Sequence, residues 1–400
     1  MYFGQNPDYQ LVHGGVPWPD FLFGSIRLWG TTTTWADLEP ANGSYVWDSG
    51  PDNILDNWLN LGQANGVTDF VYTFGKGTPP WISSNPGDTF CNKVGGAATP
   101  GWCDPPSDVN ADGTGTDAAF IAFVTALVQH AAGRIQTWEC INEADGPSSE
   151  WTGSIAQTLR MCTDMYNTVK SIDPSAKVAT PAPTGAGSSG LDGKAVSWML
   201  SYLQAGGGNF ADIIAFHGYV PETDPERVVG ITQGITNDRS SNAVVSKPVW
   251  DTEMGYTVSD LPDANMQAAF LARVYLLQWS YGVSRFYWYS YGNLETGELW
   301  TPAGDNPAGV AYGVVFNWMV GSTVTSACAP NGTVWTCGFK TIKGDQVEAV
   351  WDTAQICSPC STSNFSPGSG FTKYQDLAGN THSISGSTVP IGAQPIWLEP

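Results

Sequence analysis

Eight short apolar runs, at 2–5, 24–29, 69–74, 135–142, 177–181, 212–219, 248–253 and 284–290, recur through roughly the first 320 residues with longer amphipathic stretches between them. Short runs bounded by Gly, Pro, Asn and Asp read as buried strands, and apolar spacings of three and four read as helices. The clearest helix patterns cover 117–132, 154–172, 264–281 and 307–320, and they stop at Asp173-Pro174, Gly282 and Gly321 where a stop is visible. Eight strands alternating with helices predict an α/β chain folded as a parallel (β/α)8 TIM barrel, an architecture of about 250 residues before insertions. A doubly wound sheet is the rival, but it usually has fewer strands and a nucleotide-binding first turn.

Beyond Gly321 the helix signals end. Runs at 333–339, 346–351, 371–376, 388–391 and 395–398 read as short strands between Gly, Asn, Ser and Pro. The expected organisation is a barrel over 1–321 and a small β-sandwich-like domain over 322–400, packed together.

Charge excludes some partners. There are 37 acidic and 16 basic residues, a net charge of −21, and no basic stripe, so nucleic acid is not expected to bind. No apolar run approaches the roughly 18 residues that a membrane span needs. Met1-Tyr2-Phe3-Gly4 reads as the start of a trimmed mature chain, and the eight cysteines fit an oxidising, extracellular compartment. Cys91 with Cys103, Cys328 with Cys337, and Cys357 with Cys360 read as local disulfides, whereas Cys140 and Cys162 suit a bridge or buried thiols equally. A zinc site at Cys357 and Cys360 would need a second pair of ligands that does not accompany it. Asn42, Asn331 and Asn364 open glycosylation sequons.

Barrel enzymes carry their chemistry at the carboxyl ends of the strands. The fourth run ends in Trp138-Glu139-Cys140-Ile141-Asn142-Glu143 and the seventh in Trp250-Asp251-Thr252-Glu253. Two carboxyl groups facing one pocket are what glycosidic bond cleavage requires: one protonated to release the leaving oxygen, one ionised to meet the oxocarbenium-like centre. Asp251 is a rival for the ionised role, but it lies two residues earlier and reads as buried support.

These residues resemble the clan A retaining glycoside hydrolases, most closely family 39 and its relatives. The likeness covers nearly the whole chain. It rests on Ser25-Ile26-Arg27-Leu28-Trp29-Gly30 with Trp35 and Leu38-Glu39-Pro40, on Tyr72-Thr73-Phe74-Gly75 with Pro80-Trp81, on 138–143, on His217-Gly218-Tyr219 and on Glu253. The resemblance implies Glu143 as acid/base and Glu253 as nucleophile. It implies Asn142 at the sugar 2-hydroxyl, Arg27 in support of Glu253, and His217 and Tyr219 lining the site. Trp288 would be the aromatic floor beneath the sugar, with Trp29 beside it. The family usually has Trp before its Asn-Glu pair and Pro after it; Ile141 and Ala144 stand there instead.

The bland readings are that Arg27 only neutralises Glu139, that His217 is a core histidine, and that Trp29, Trp81 and Trp288 merely pack. An Arg beside Glu253 favours its ionised form, and an aromatic pocket around Glu143 favours its acid form. Gly185-Ala-Gly-Ser-Ser-Gly190 matches a dinucleotide fingerprint, but Pro181 and Pro183 separate it from a helix start, so it reads as a barrel loop. Asp108-Val-Asn-Ala-Asp-Gly113 opens like a calcium loop, yet Ala119 stands at the twelfth position, so the segment reads as a turn feeding the helix at Asp117, with a structural calcium held by other ligands as the alternative.

The expectation is a secreted, monomeric glycosidase of oligo- or polysaccharides that needs no cofactor and binds no metal. A catalytically inactive sugar-binding barrel and a transglycosylase are the alternatives.

Overall fold

A computed structural model describes residues 2–48, 55–89, 100–146, 150–185, 192–357 and 360–400. All eight expected strands are present and parallel: β1 (Tyr2–Pro7), β2 (Ser25–Leu28), β3 (Asp69–Thr73), β4 (Thr137–Glu139), β5 (Lys177–Ala179), β6 (Ile214–His217), β7 (Val249–Met254) and β8 (Val283–Tyr291). They form one sheet in the order β5-β4-β3-β2-β1-β8-β7-β6. A bridge between Ala179 and Ile213 closes the remaining seam. The result is the TIM barrel the alternation predicts.

Its helices are α1 (Trp35–Leu38), α2 (Leu55–Ala64), α3 (Ala118–Ala131), α4 (Ile155–Ile172), α5 (Asp192–Gln204), α6 (Val228–Ser241), α7 (Ala264–Ser280) and α8 (Pro307–Met319). Local chemistry sets their starts. Ser154 and Gln157 form a capping box on α4, and Asn306 accepts from the Gly309 amide at the head of α8, where Pro307 follows. A short hairpin, β9 (Trp300–Thr301) and β10 (Gly304–Asp305), precedes α8.

Inside the barrel, Val71, Ala179, Ala182, Ile213, Ala215, Trp250 and Tyr287 make a compact apolar plug. Such a layer fills a barrel of this size, so only the carboxyl end remains for chemistry.

Antiparallel sheets follow the barrel. β11 (Thr323–Asn331), β12 (Val334–Lys340), β13 (Gln346–Asp352), β14 (Ser363–Phe365), β15 (Lys373–Gln375), β16 (Thr381–Ser383), β17 (Val389–Ile391) and β18 (Ile396–Glu399) pair as β11-β12-β13-β18-β15-β16 and β14-β17. α7 is buried on nearly every face because the barrel covers one side and β11–β12 the other: Trp279 stacks on Phe339 at 4.7 Å.

Two disulfides lie among the described residues, Cys328–Cys337 as expected and Cys140–Cys162, which ties the end of β4 to α4. Cys91 lies outside the described residues. The expected Cys357–Cys360 bridge is absent: the two face each other across a backbone bridge as free cysteines. Burial, and then Cys360, push the Cys357 thiol up to about 12, so it keeps its proton. No helix among the described residues is long and apolar enough to cross a membrane. Of the glycine-rich fingerprint, residues 186–190 lie outside the described residues.

Candidate active site

A buried cation organises the mouth of the barrel. Arg27 on β2 is 0 % exposed, and a guanidinium carries five N–H donors and no acceptor. All five are engaged. Nε donates to Glu139 Oε2 at 2.6 Å; Nη1 donates to Asn6 Oδ1 at 3.1 Å and Glu253 Oε2 at 2.7 Å. Nη2 reaches Asn142 Oδ1 at 2.6 Å and His217 Nε2 at 3.4 Å. Arg27 therefore pairs with both Glu139 and Glu253, which unites the two readings the sequence left open.

This contact also fixes the imidazole. Facing a pure donor, Nε2 of His217 must accept, so the proton sits on Nδ1, 2.9 Å from Glu143 Oε1. Burial pushes His217 down to about 4, against the opposing pull of Glu253, so the ring is neutral near pH 7. His217 is buried, as a core histidine would be, and yet it touches the candidate acid.

Glu143 follows β4 in a left-handed conformation, φ 45°, with its amide bonded to Ala182 O at 2.9 Å. A non-glycine residue held there costs of the order of 1–3 kcal/mol, and such strain gathers at functional sites. Burial, and next the charge of Asp145, push the Glu143 carboxyl up to about 7. Asp145 is held by the Thr184 amide and hydroxyl, each at 2.8 Å.

Glu253 reaches the pocket through a shift in β7. Opposite β6, Asp251 pairs with Phe216 and Glu253 with His217, so one extra residue of β7 is accommodated. Trp250 belongs to the inner plug. Strict alternation from Trp250 would send Thr252 inward and Glu253 outward; the extra residue reverses this. Tyr219 Oη donates to Glu253 Oε1 at 3.0 Å. Asp251 takes the supporting place: it accepts from the amides of Gly218 and Glu253 and from Gln278 Nε2 at 2.6 Å.

One carboxylate oxygen of Glu143, one of Glu253 and one ring nitrogen of His217 lie within 4.8 Å of one another. The same three groups could ligate a metal ion, but Arg27 already supplies the countercharge, 2.7 Å from Glu253.

The tryptophans divide. Trp29 is half-buried at the rim, its ring centre 5.9 Å from Arg27 Cζ. Trp81 donates to Glu39 O and packs edge-on against Trp35. Trp288 corrects an expectation: it is 0 % exposed, bonds Gly297 O at 2.8 Å and lies against Tyr256 and Tyr275, so no sugar can rest on it. Tyr287 points into the plug, hence Tyr289, two residues on, faces the pocket. Its hydroxyl lies 3.5 Å from the position of a Cβ on Gly30, and burial followed by the charge of Glu253 raises its phenol.

Asn6, Asp145 and Tyr289 escaped the sequence reading, as did a buried ion pair, Lys76–Glu150 at 3.2 Å. Burial, and then Glu143, push Glu150 up to about 8. None of the four carried a signal in the sequence: parity points to Tyr289 only once Tyr287 is seen in the plug.

Residues 117–311 match the family model described as the glycosyl hydrolase catalytic core. This segment is similar to glycosyl hydrolase catalytic cores. The matched segment includes Glu143, His217 and Glu253, with Arg27 and Trp29 preceding it. Solved structures share the fold across the whole length. A family 39 glycoside hydrolase from Bacteroides cellulosilyticus is 19% identical, with TM-score 0.71 over 99% of this chain and 80% of that one. The catalytic domain of a family 30 xylanase C from Talaromyces cellulolyticus is 17% identical, with TM-score 0.58 over 100% and 96%. A family 39 enzyme from Xanthomonas axonopodis pv. citri is 15% identical, with TM-score 0.59 over 94% and 88%. A comparison with curated proteins finds no match.

Proposed function

We propose that this glycosidase hydrolyses O-glycosidic bonds in oligo- or polysaccharides by double displacement, with net retention at the anomeric carbon. The observation that carries the reading is the approach of Glu143 and Glu253 oxygens to within 4.8 Å. Retaining sites hold their carboxyl groups about 5–5.5 Å apart, whereas inverting sites need about 6.5–9.5 Å to admit water.

Protonated Glu143 gives its proton to the leaving oxygen while a Glu253 oxygen forms a bond to the anomeric carbon and the C–O bond breaks. Glu143, now a carboxylate, takes a proton from water as the water oxygen attacks that carbon and Glu253 departs. His217 Nδ1–H occupies one Glu143 oxygen and leaves the other to carry the proton. Arg27 and Tyr219 each hold one Glu253 oxygen and steady its negative charge. The Asn142 carbonyl is taken by Arg27, which turns its amide N–H donors to the sugar hydroxyl beside the anomeric carbon. Trp29 and Tyr289 supply the aromatic walls that sugar faces stack on. The disulfides support secretion.

Glu253→Ala is expected to retain the fold and lose turnover by at least about 10⁴-fold, with azide restoring activity and yielding a glycosyl azide of inverted configuration. Product analysis by NMR on whichever substrate a panel of aryl glycosides and polysaccharides reveals makes the test. Near-normal turnover of the variant, or an inverted first product from the wild type, refutes the assignment.

A further inference from the structure

Two loops at the carboxyl end of the barrel bring together an ion pair that the double displacement does not use. Lys76 follows β3 and Glu150 lies between β4 and α4; Lys76 Nζ donates to Glu150 Oε1 at 3.2 Å. The Lys76 side chain is 3 % exposed and that of Glu150 16 %. An ammonium carries three N–H donors and a carboxyl group two oxygens. Among the described residues Lys76 Nζ meets Glu150 alone, and Glu150 Oε2 is buried with no partner. Two N–H groups and one oxygen are thus shut away from water with nothing to bond. That is a costly arrangement for a pair whose only task is to hold two loops together. The loops are joined without it: Thr152 donates from its amide to Cys103 O at 2.9 Å and from its hydroxyl to Asp104 Oδ1 at 2.7 Å.

The pair borders the reacting centre. Gly75, next to Lys76, packs so closely on Asn142 that a Cβ there would lie 2.8 Å from its amide nitrogen. From Glu143 a turn leads to Glu150: the Gly146 amide donates to Glu143 O at 2.8 Å and the Glu150 amide to Gly146 O at 3.0 Å. Glu150 feels the charges of Glu143 and Glu253, and Tyr289 on β8 feels that of Glu150. A group within reach of all three faces the space between them, which is where a sugar ring attacked by Glu253 must lie.

We propose that Lys76 and Glu150 recognise a hydroxyl group of the sugar bound between Glu143 and Glu253. The inference rests on the glycosidase reading of that site. A sugar hydroxyl both donates and accepts, so it satisfies an N–H of Lys76 and Oε2 of Glu150 at once. A sugar carboxylate does not fit. Lys76 is already countered by Glu150, and an added anion would stand against Glu150 as well as Glu253. The pair therefore selects a neutral sugar by where its hydroxyls lie.

The test is a cycle between protein and sugar, run by calorimetric titration on the full-length chain carrying Glu253→Ala, so that no turnover is needed. The probe is the p-nitrophenyl glycoside that this variant binds most tightly from a panel of neutral sugars and uronic acids, together with its mono-deoxy analogues. One analogue, lacking the recognised hydroxyl, is expected to bind about tenfold more weakly than the parent. Adding Glu150→Ala weakens the parent by a similar factor and leaves that analogue unaffected; Lys76→Met acts alike. Should Glu150→Ala fail to fold, Lys76→Met carries the cycle. Equal weakening of the parent and of every analogue shows that the pair only braces the loops, and overturns the proposal. So does parent binding that neither substitution changes, the absence of binding by the whole panel, or a preference for a uronide that Lys76→Met abolishes. Failure of the hydrolytic reading shows elsewhere, as near-normal turnover by the chain carrying Glu253→Ala alone.

Discussion

A single guanidinium dictates the protonation of the histidine behind it, and through that histidine the geometry of the candidate acid. Because His217 Nε2 accepts from Arg27, Nδ1–H can only donate, and Glu143 Oε1 receives it. The first chemical step needs Glu143 protonated, and its carboxyl is pushed up to about 7, chiefly by burial and then by Asp145. A raised carboxyl is protonated below that value and ionised above it, so kcat/KM is expected to fall as pH rises through about 7. Asp145→Asn removes a neighbouring negative charge and leaves Lys194, now 3.4 Å from Asp145, without that counterion. Both changes favour the ionised form of Glu143. The alkaline limb should therefore move down by about one pH unit, with the plateau below it little changed. A limb that stays or moves up would show that Asp145 does not act on Glu143.

At the scale of elements, the site depends on how closely β3 and β4 approach beyond their ends. Gly75 follows β3 at φ 143°, and a Cβ there would lie 2.8 Å from the Asn142 amide nitrogen. Gly75→Ala must push Asn142 away from Arg27. We expect a loss of about 1–3 kcal/mol in stability by denaturant titration. We also expect a fall in kcat/KM of at least about tenfold, with the circular dichroism spectrum retained. An unchanged kcat/KM would mean that Asn142 tolerates the displacement.

The same elements show what the sequence disclosed. The eight strands were legible because each is a short apolar run between breakers. Glu143 and Glu253 stood out because they close two of those runs. Facing direction was not legible. Phe286-Tyr287-Trp288-Tyr289 is aromatic at every position, so no alternation marks the inward side. The extra residue in β7 likewise leaves no trace in composition. β11 went unread because most of its side chains are exposed Thr, Ser, Ala, Pro and Asn. A separation of 22 residues could not decide the Cys140–Cys162 bridge, since closure depends on where β4 and α4 are brought together.

At the scale of the molecule, the barrel and the C-terminal sheets share a core. Trp279 on α7 stacks on Phe339 of β12 at 4.7 Å, Phe339 on Trp397 of β18 at 5.1 Å, and Trp397 on Trp318 of α8 at 5.3 Å. This ladder leaves one helix, crosses the sheet and returns to the next helix, so neither part completes its packing alone. It also leads toward the chemistry. The turn of α7 that gives Trp279 to the sheet gives Gln278 to Asp251, and Asp251 holds the Glu253 amide. Phe339→Ala opens a void at the centre of the ladder and should cost about 3–5 kcal/mol. If the two parts form one cooperative unit, calorimetry will show a single transition at lower temperature. Activity, assayed during the same ramp, will disappear with the tertiary signal. Two separated transitions, with the sheets melting first and hydrolysis continuing afterwards, would show that α7 holds Gln278 in place without the sheet.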